Sequence, residues 1–199
     1  MEFKMKKLVL ASALLLSMGT IQAAESVRWD SASLSYQSVD LDGDKLTGFG
    51  ISGTKLVSDN VFIAGSYASV SDDIDVFGSK VDVDFNTLSI GLGYRHAISS
   101  TTDFFGIVSY QDMEIEASFQ GNSEGESENG YGLQAGIRSL VTENIELSGS
   151  LSYVDIADES ETGFNVSAMY HFTEQFSAGV GYGKSDDVDS ISLSATIFF

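Results

Sequence analysis

Few side chains in this sequence are equipped for catalysis. His96 and His171 are its two histidines, and cysteine is absent. The chain therefore has no thiolate nucleophile, no thiolate metal site and no disulfide framework. Both histidines adjoin short turn-like segments, 97–102 and 172–175. Carboxylates are far more abundant, with Asp+Glu 29 against Lys+Arg 10. Asp40, Asp42 and Asp44 surround Gly43. Ser71-Asp72-Asp73-Ile74-Asp75 and Ser185-Asp186-Asp187-Val188-Asp189 share one pattern. Glu124, Glu126 and Glu128 stud a further segment, as do Asp158, Glu159 and Glu161. Hard cations take several carboxylate oxygens, so Asp40, Asp42, Asp44, Asp72, Asp73, Asp75, Asp186, Asp187 and Asp189 are candidates for weak Ca²⁺ or Mg²⁺ binding. The match to an EF-hand loop is poor, since Gly43 is misplaced and no Glu closes the loop. Solvated, mutually repelling segments are the ordinary alternative. No other cofactor is expected.

The net charge of −19 excludes a nucleic-acid partner, because such binding needs a Lys/Arg footprint that displaces counterions. Strong acidity can also signal disorder. Here 43% hydrophobic and 11% aromatic content argue for a fold, and so does the placement of the apolar residues. Proline is absent, as suits a chain that is mostly hydrogen-bonded strand.

The elements that must carry these groups alternate with period two. Ile191, Leu193, Ala195, Ile197 and Phe199 interleave with Ser192, Ser194 and Thr196. Phe176, Ala178, Val180 and Tyr182 interleave with Ser and Gly, and Ile145, Leu147, Gly149, Leu151 and Tyr153 with Glu146, Ser148, Ser150 and Ser152. Such rows give strands one apolar face and one small, uncharged face. A solvated strand face would carry Lys, Arg and Glu. Aromatic residues end many of the rows, as a membrane-interface girdle requires.

Connections set the topology. Four are short: 57–60, 97–102, 141–144 and 172–175. Five others, 40–45, 71–80, 120–128, 157–161 and 185–189, are acidic and on the whole longer. Outer-membrane barrels place tight turns in the periplasm and longer loops outside. The fold class is therefore all-β: a closed antiparallel transmembrane barrel of about 10 strands, with 8 as the alternative. Strands 81–97 and 103–119 look longest, and a hairpin is expected to project from this pair. The apolar parity changes from Val81, Val83 and Phe85 to Leu88, Ile90 and Leu92, as expected if a bulge or the membrane edge lies near Asn86-Thr87. Arg95, Arg138, Glu146 and His171 have lumen parity near the periplasmic end and form a candidate polar cluster. Higher in the lumen, Ser, Gly, Asn and Thr are expected.

The N-terminus has the layout of a secretory signal peptide. Lys4, Lys6 and Lys7 precede an apolar run from Leu8 to Met18, and Ile21-Gln22-Ala23 offers a cleavage site. The run is too short for a spanning helix. Residues 1–23 are thus expected to be removed, leaving 24–199 as one barrel domain in the outer membrane.

The signal segment, the alternating strands and the ending Ser194-Ala195-Thr196-Ile197-Phe198-Phe199 resemble small outer-membrane barrels of the OmpA-barrel and Ail/OmpX type. That class has eight strands, and ten would look more like omptin proteases or Opc-type adhesins. The resemblance implies that Leu193, Ile197 and Phe199 form the signal read by the barrel-assembly machinery. It also implies outer-membrane lipid and lipopolysaccharide as neighbours, with divalent cations bridging acidic loops to lipid phosphates as a further reading. The expected role is a non-enzymatic surface protein, structural, adhesive or protective, with a host or surface ligand unspecified. A narrow cation-preferring pore is the alternative, and an outer-membrane hydrolase ranks last because neither histidine falls in an outer loop.

Overall fold

The computed structural model describes residues 26–199 except 42–43, 77–78, 120–121, 158 and 186–187. The expected signal peptide lies outside the described residues. Among those described, all regular structure is strand: β1 (Ser31–Leu41), β2 (Asp44–Leu56), β3 (Val61–Val76), β4 (Ser79–Ser99), β5 (Thr102–Phe119), β6 (Asn122–Leu140), β7 (Ile145–Ile156), β8 (Glu159–His171), β9 (Phe176–Ser185) and β10 (Val188–Phe198). Each pairs antiparallel with its sequence neighbours, and β1 pairs with β10 to close the barrel. The count is ten, not eight. Residues 57–60, 141–144 and 172–175 form turns at the end where the termini lie, and 100–101 joins β4 to β5 there.

At the opposite end, the tip end, the segments expected as loops are mostly strand. β3 runs through Val76 and β4 starts at Ser79, while β6 already starts at Asn122. The ladder continues because these acidic stretches alternate their carboxylates with Ser, Gly, Val and Ile, and alternation of this kind suits a pleat. Two hairpins project, not one: β3, β4, β5 and β6 have 16, 21, 18 and 19 residues, against 10 to 13 for the other strands. About 9–11 residues suffice to cross a bilayer.

The outer face carries the apolar rows. Leu34, Ile51, Ile90, Leu92, Val108, Leu151, Val166, Val180 and Ile191 are all exposed on it. Towards the tip end this band is edged by Tyr36, Phe49, Tyr67, Tyr110, Tyr131, Phe164 and Tyr182, and towards the turns by Tyr94, Phe104, Tyr170, Phe172, Phe176 and Phe199. Rings of neighbouring strands touch, as in Tyr36–Phe49 at 5.3 Å and Phe164–Tyr182 at 6.1 Å. Tyrosine hydroxyls of the tip-side belt donate outward to Asp112, Asp155 and Asp189, so each ring has an apolar body and a wet end.

No bulge interrupts β4 at Asn86-Thr87. Its register with β3 is continuous there, and the irregularity falls at Ala97/Ser99. The parity change arises because Phe85 faces the lumen while Leu88 faces outward. The lumen carries the expected small polar side chains, among them Ser89, Thr87, Asn165 and Ser190, but towards the tip end it also holds an apolar layer. Val39, Leu41, Leu46, Ala68, Val70, Phe85, Met113, Val154, Ile156 and Val188 pack together there. The strands outrun the bilayer, so the projecting part needs a hydrophobic core of its own.

Lower down, inward aromatic rings lie flat over glycines of the next strand. Phe62 covers Gly93, where a Cβ would fall inside the ring, and a Cβ on Gly136 would stand 2.7 Å from Phe105 Cζ. Gly65, in contrast, has ordinary space, with the nearest atom at 3.8 Å. Gly93→Val should therefore destabilise the barrel by about 1–3 kcal/mol through overpacking, while Gly65→Ala stays near wild type. Urea unfolding in lipid vesicles, followed by tryptophan fluorescence, measures both.

Candidate functional site

The barrel interior is the candidate site, and its turn end is sealed by a segment that sequence reasoning had not singled out. Residues 26–30 precede β1 and fold into the mouth. Val27 and Trp29 are buried against Phe62 and Phe105. Trp29 lies 4.4 Å from Phe62 and 5.6 Å from Phe105, ring centre to ring centre. The segment's backbone is held as well. Thr54 Oγ1 donates to Trp29 O at 2.6 Å, Arg138 Nη2 to Arg28 O at 2.8 Å, and Phe199 N to Asp30 O at 3.2 Å. The available signal was weak: the sole tryptophan stands just ahead of the first alternating row.

A chain of charges runs through this stopper. Arg95 Nη1 donates to Asp103 Oδ2 at 3.1 Å, and Trp29 Nε1 donates to the same oxygen at 2.8 Å. The Arg138 guanidinium stacks on Trp29, 4.1 Å from the ring centre, and its Nε donates to Glu146 Oε1 at 3.2 Å. Arg138 and Glu146 are each 1% exposed. Of the four lumen residues singled out from sequence, Arg138 and Glu146 therefore meet directly, and Arg95 joins them through Asp103 and Trp29. His171 turns instead to Ser177, with Nδ1 and Oγ 2.6 Å apart. That pair resembles a nucleophile and its base. Both residues are buried, however, and Phe198 packs over the imidazole at 6.0 Å, so a substrate has no approach. His96 is exposed on the outer face.

Above the stopper lies a small chamber of about 70 Å³, walled by Phe62, Ile107 and Val154 as well as by polar side chains, with room for a few waters. Ser52, Ser66, Ser89, Ser109, Gln111 and Gln134 line it. Gln111 Nε2 donates to Ser89 and Ser109, and Gln134 Nε2 to Ser150. The apolar cluster around Phe85 and Met113 packs in the lumen beyond.

Of the acidic candidates, Asp40 and Asp189 are cross-strand partners at the tip end. Asp40 also pairs across β1–β2 with Lys45, and Asp189 with Lys184. Lys184 Nζ reaches Asp189 Oδ2 at 3.2 Å, and Tyr182 donates to the same carboxylate. Asp72 lies in β3. Asp42, Asp186 and Asp187 lie outside the described residues, as do the side chains of Asp44, Asp73 and Asp75. Among the described residues no three metal-ligating side chains come together. Leu193, Ile197 and Phe199 all face outward into the apolar band. Phe199 also receives Lys55 Nζ over its ring at 5.1 Å.

Two outcomes follow. Arg138→Met leaves Glu146 buried without its partner and should cost about 3–5 kcal/mol, whereas Arg138→Met with Glu146→Leu should recover most of the loss. The double-mutant cycle is read from urea midpoints. The second concerns Asp30, which accepts from Lys55 Nζ and Leu56 N. Burial alone would raise its pKa. The bonds from Lys55 and Leu56, with the charges of Lys55 and Arg28, outweigh burial and hold it below the ordinary carboxylate value. A depressed acid stabilises the fold above its unfolded pKa, and the contribution fades as pH falls through the folded one. Asp30→Asn should therefore be less stable than wild type at pH 7, and the gap should narrow and close as pH falls through the folded pKa, as thermal melts along an acid series would record.

Residues 8–182 match the family described as Outer membrane protein beta-barrel domain. No curated protein matches the sequence. Among solved structures, the chain is similar to Ail, the attachment invasion locus protein of Yersinia pestis (18% identity, 86% of this chain and 100% of that one, TM-score 0.46). It is similar also to the N-terminal β-barrel domain of Pseudomonas aeruginosa OprF (15% identity, 85% and 98%, TM-score 0.44) and to the KdgM porin (10% identity, 85% and 99%, TM-score 0.49). With the lipid-facing apolar band, the twin aromatic belts and a family match over most of its length, this chain belongs to the outer membrane protein β-barrel family.

Proposed function

We propose that this barrel is a closed, non-enzymatic surface protein of the outer membrane, exported with residues 1–23 removed, that acts through its projecting acidic end in a structural, adhesive or protective role. The observation carrying this reading is that apolar packing fills the lumen twice: Trp29, Phe62 and Phe105 at the turn end, Phe85, Met113 and their neighbours at the tip end. Hydrated ions do not cross such layers cheaply, which counts against a pore. The burial of His171 and Ser177, and the position of His96 at the turn end, count against a hydrolase. By the rule of the class, short turns face the periplasm and the tip end faces outward.

Outward carboxylates such as Asp40, Asp112, Asp155 and Asp189 stand just beyond the tyrosine belt. Beside the phosphates of lipopolysaccharide they would repel, so Ca²⁺ or Mg²⁺ bridging belongs to this reading. So does recognition of Leu193, Ile197 and Phe199 by the assembly machinery, which needs an apolar edge accessible before closure.

In planar bilayers the purified protein should show no single-channel steps. The variant Trp29→Ala/Phe85→Ala/Met113→Ala, with both seals thinned, should show small ones. Regular steps from the wild-type protein would overturn this reading in favour of the narrow pore.

A further inference from the structure

The lipid-facing wall is recessed. Around the seam between β10 and β1 it holds a groove of about 800 Å³. Ala32, Gly53 and Gly65 lie side by side on β1, β2 and β3, and Leu34, Tyr67, Ile90 and Ile197 stand around them. The groove occupies the half of the apolar band nearer the turns, since Ala32 is the second residue of β1 and the belt residue Phe176 borders it. Shallower recesses lie beside Gly106 and Ala135, at about 730 Å³, and beside Ala168 and Ala178, at about 430 Å³. Inside a bilayer acyl chains are what fills such a recess, because a gap forfeits its dispersion contacts.

Charge singles out the first groove. Lys55 stands two residues past Gly53 on the outward face of β2, and its side chain is half exposed. Its Nζ lies 5.1 Å from the ring centre of Phe199, a member of the turn-side belt, and such belts sit at headgroup level. An ammonium has three donors, of which one goes to Asp30. A carboxylate has about four acceptor sites, and Asp30 uses two, for Lys55 Nζ and Leu56 N. A cation and an anion with spare hydrogen-bonding capacity thus stand together below the groove. Asp59 in the adjoining turn adds a further negative charge, which disfavours a headgroup of net negative charge. Towards the turns the other two recesses end on Phe104 and Ile137, and on Tyr170 and Phe176, without a lysine or arginine.

We propose that this groove binds one phosphatidylethanolamine molecule from the leaflet at the turn end. Its acyl chains lie over Ala32, Gly53 and Gly65, its phosphate meets Lys55, and its ammonium meets Asp30. The proposal rests on the surface-protein reading only for calling that leaflet the periplasmic one. Lipid binding to purified protein tests the groove whichever end faces out, and the bilayer experiment separately tests closure.

The molecule carries its own reporter. Trp29, the sole tryptophan, lies on the lumen side of the same wall, in the chamber lined by Ser52, Gly53, Gly65 and Ser66. Bromine on an acyl chain in the groove would quench it across one sheet. The experiment titrates the full barrel, in uncharged maltoside micelles, with phosphatidylethanolamine brominated in its chains. Diacylglycerol and phosphatidylglycerol with the same brominated chains serve as comparisons. Phosphatidylethanolamine should quench saturably, and the other two should need about fivefold higher mole fractions or more. Lys55→Gln should bring phosphatidylethanolamine to the diacylglycerol value, and Lys55→Arg should restore its advantage. Gly65→Leu, at a position with room for a side chain, should fill the groove and reduce quenching by all three lipids. Heat-modifiable gel migration confirms that each variant is an intact barrel. Equal half-saturation by phosphatidylethanolamine and diacylglycerol would overturn the proposal, as would phosphatidylglycerol binding as tightly as phosphatidylethanolamine. So would quenching that Lys55→Gln or Gly65→Leu leaves unchanged.

Discussion

Inside the hydrocarbon of a bilayer an unpaired peptide N–H or C=O costs several kcal/mol, and no water is present to relieve it. A sheet can cross only if it has no edge. Here the pairing of Ser31–Leu41 with Val188–Phe198 removes the last one, so the first and last strands of the chain must find each other before any part of the membrane wall is satisfied. Contacts at that seam reinforce it from the turn end: Asp30 O accepts from Phe199 N, and Lys55 both pairs with Asp30 and covers the Phe199 ring. The segment that plugs the mouth is thus the same segment that pins the closing strand.

Closure in turn creates an interior that must be filled. Ten strands enclose more space than the small Ser and Gly side chains can occupy. The molecule meets this with large side chains at selected levels, two of them laid over a glycine on the neighbouring strand, Phe62 over Gly93 and Phe105 over Gly136. The buried Arg138–Glu146 pair is tolerable at the turn end because Trp29 stacks on the guanidinium and the Arg28 carbonyl takes another of its protons. A buried ion pair of this kind contributes more to which side chains may sit together than to net stability.

Beyond the bilayer the constraint relaxes. Water can satisfy a strand edge there, so β3 to β6 need not remain paired all the way round. The tip half accordingly has two kinds of wall. Around β9, β10, β1 and β2 the row Lys184, Asp189, Asp40 and Lys45 runs in register with its charges balanced. Around β4 and β5 the outward pairing places Asp84 opposite Glu116 without a cation between them. The apolar packing of Phe85 and Met113 beneath this wall offsets that repulsion.

Much of the wall was legible in the sequence because a strand's side-chain period is two. Alternation in segments such as 145–153 and 191–199 fixes which residues meet lipid, and the spacing of the short turns fixes ten strands. Lumen parity likewise placed Arg95, Arg138, Glu146 and His171 inside. Alternation says only which face a residue takes, however, and it does not say what that face meets at a given height. Phe85 and Leu88 read as a slip in register, although one fills the lumen and the other faces outward on an unbroken strand. Acidity read as loop, although a carboxylate beyond the bilayer is free to ride on a ladder. Trp29 and the segment that enters the mouth had no periodic signature, because Trp29 meets Phe62, Asp103 and Arg138, all far away in sequence. Sequence periodicity determined the membrane-facing surface. Only the closed tertiary structure decided how the lumen is filled, since contacts such as those of Trp29 with Phe62, Phe105 and Arg138 join segments that the chain alone does not bring together.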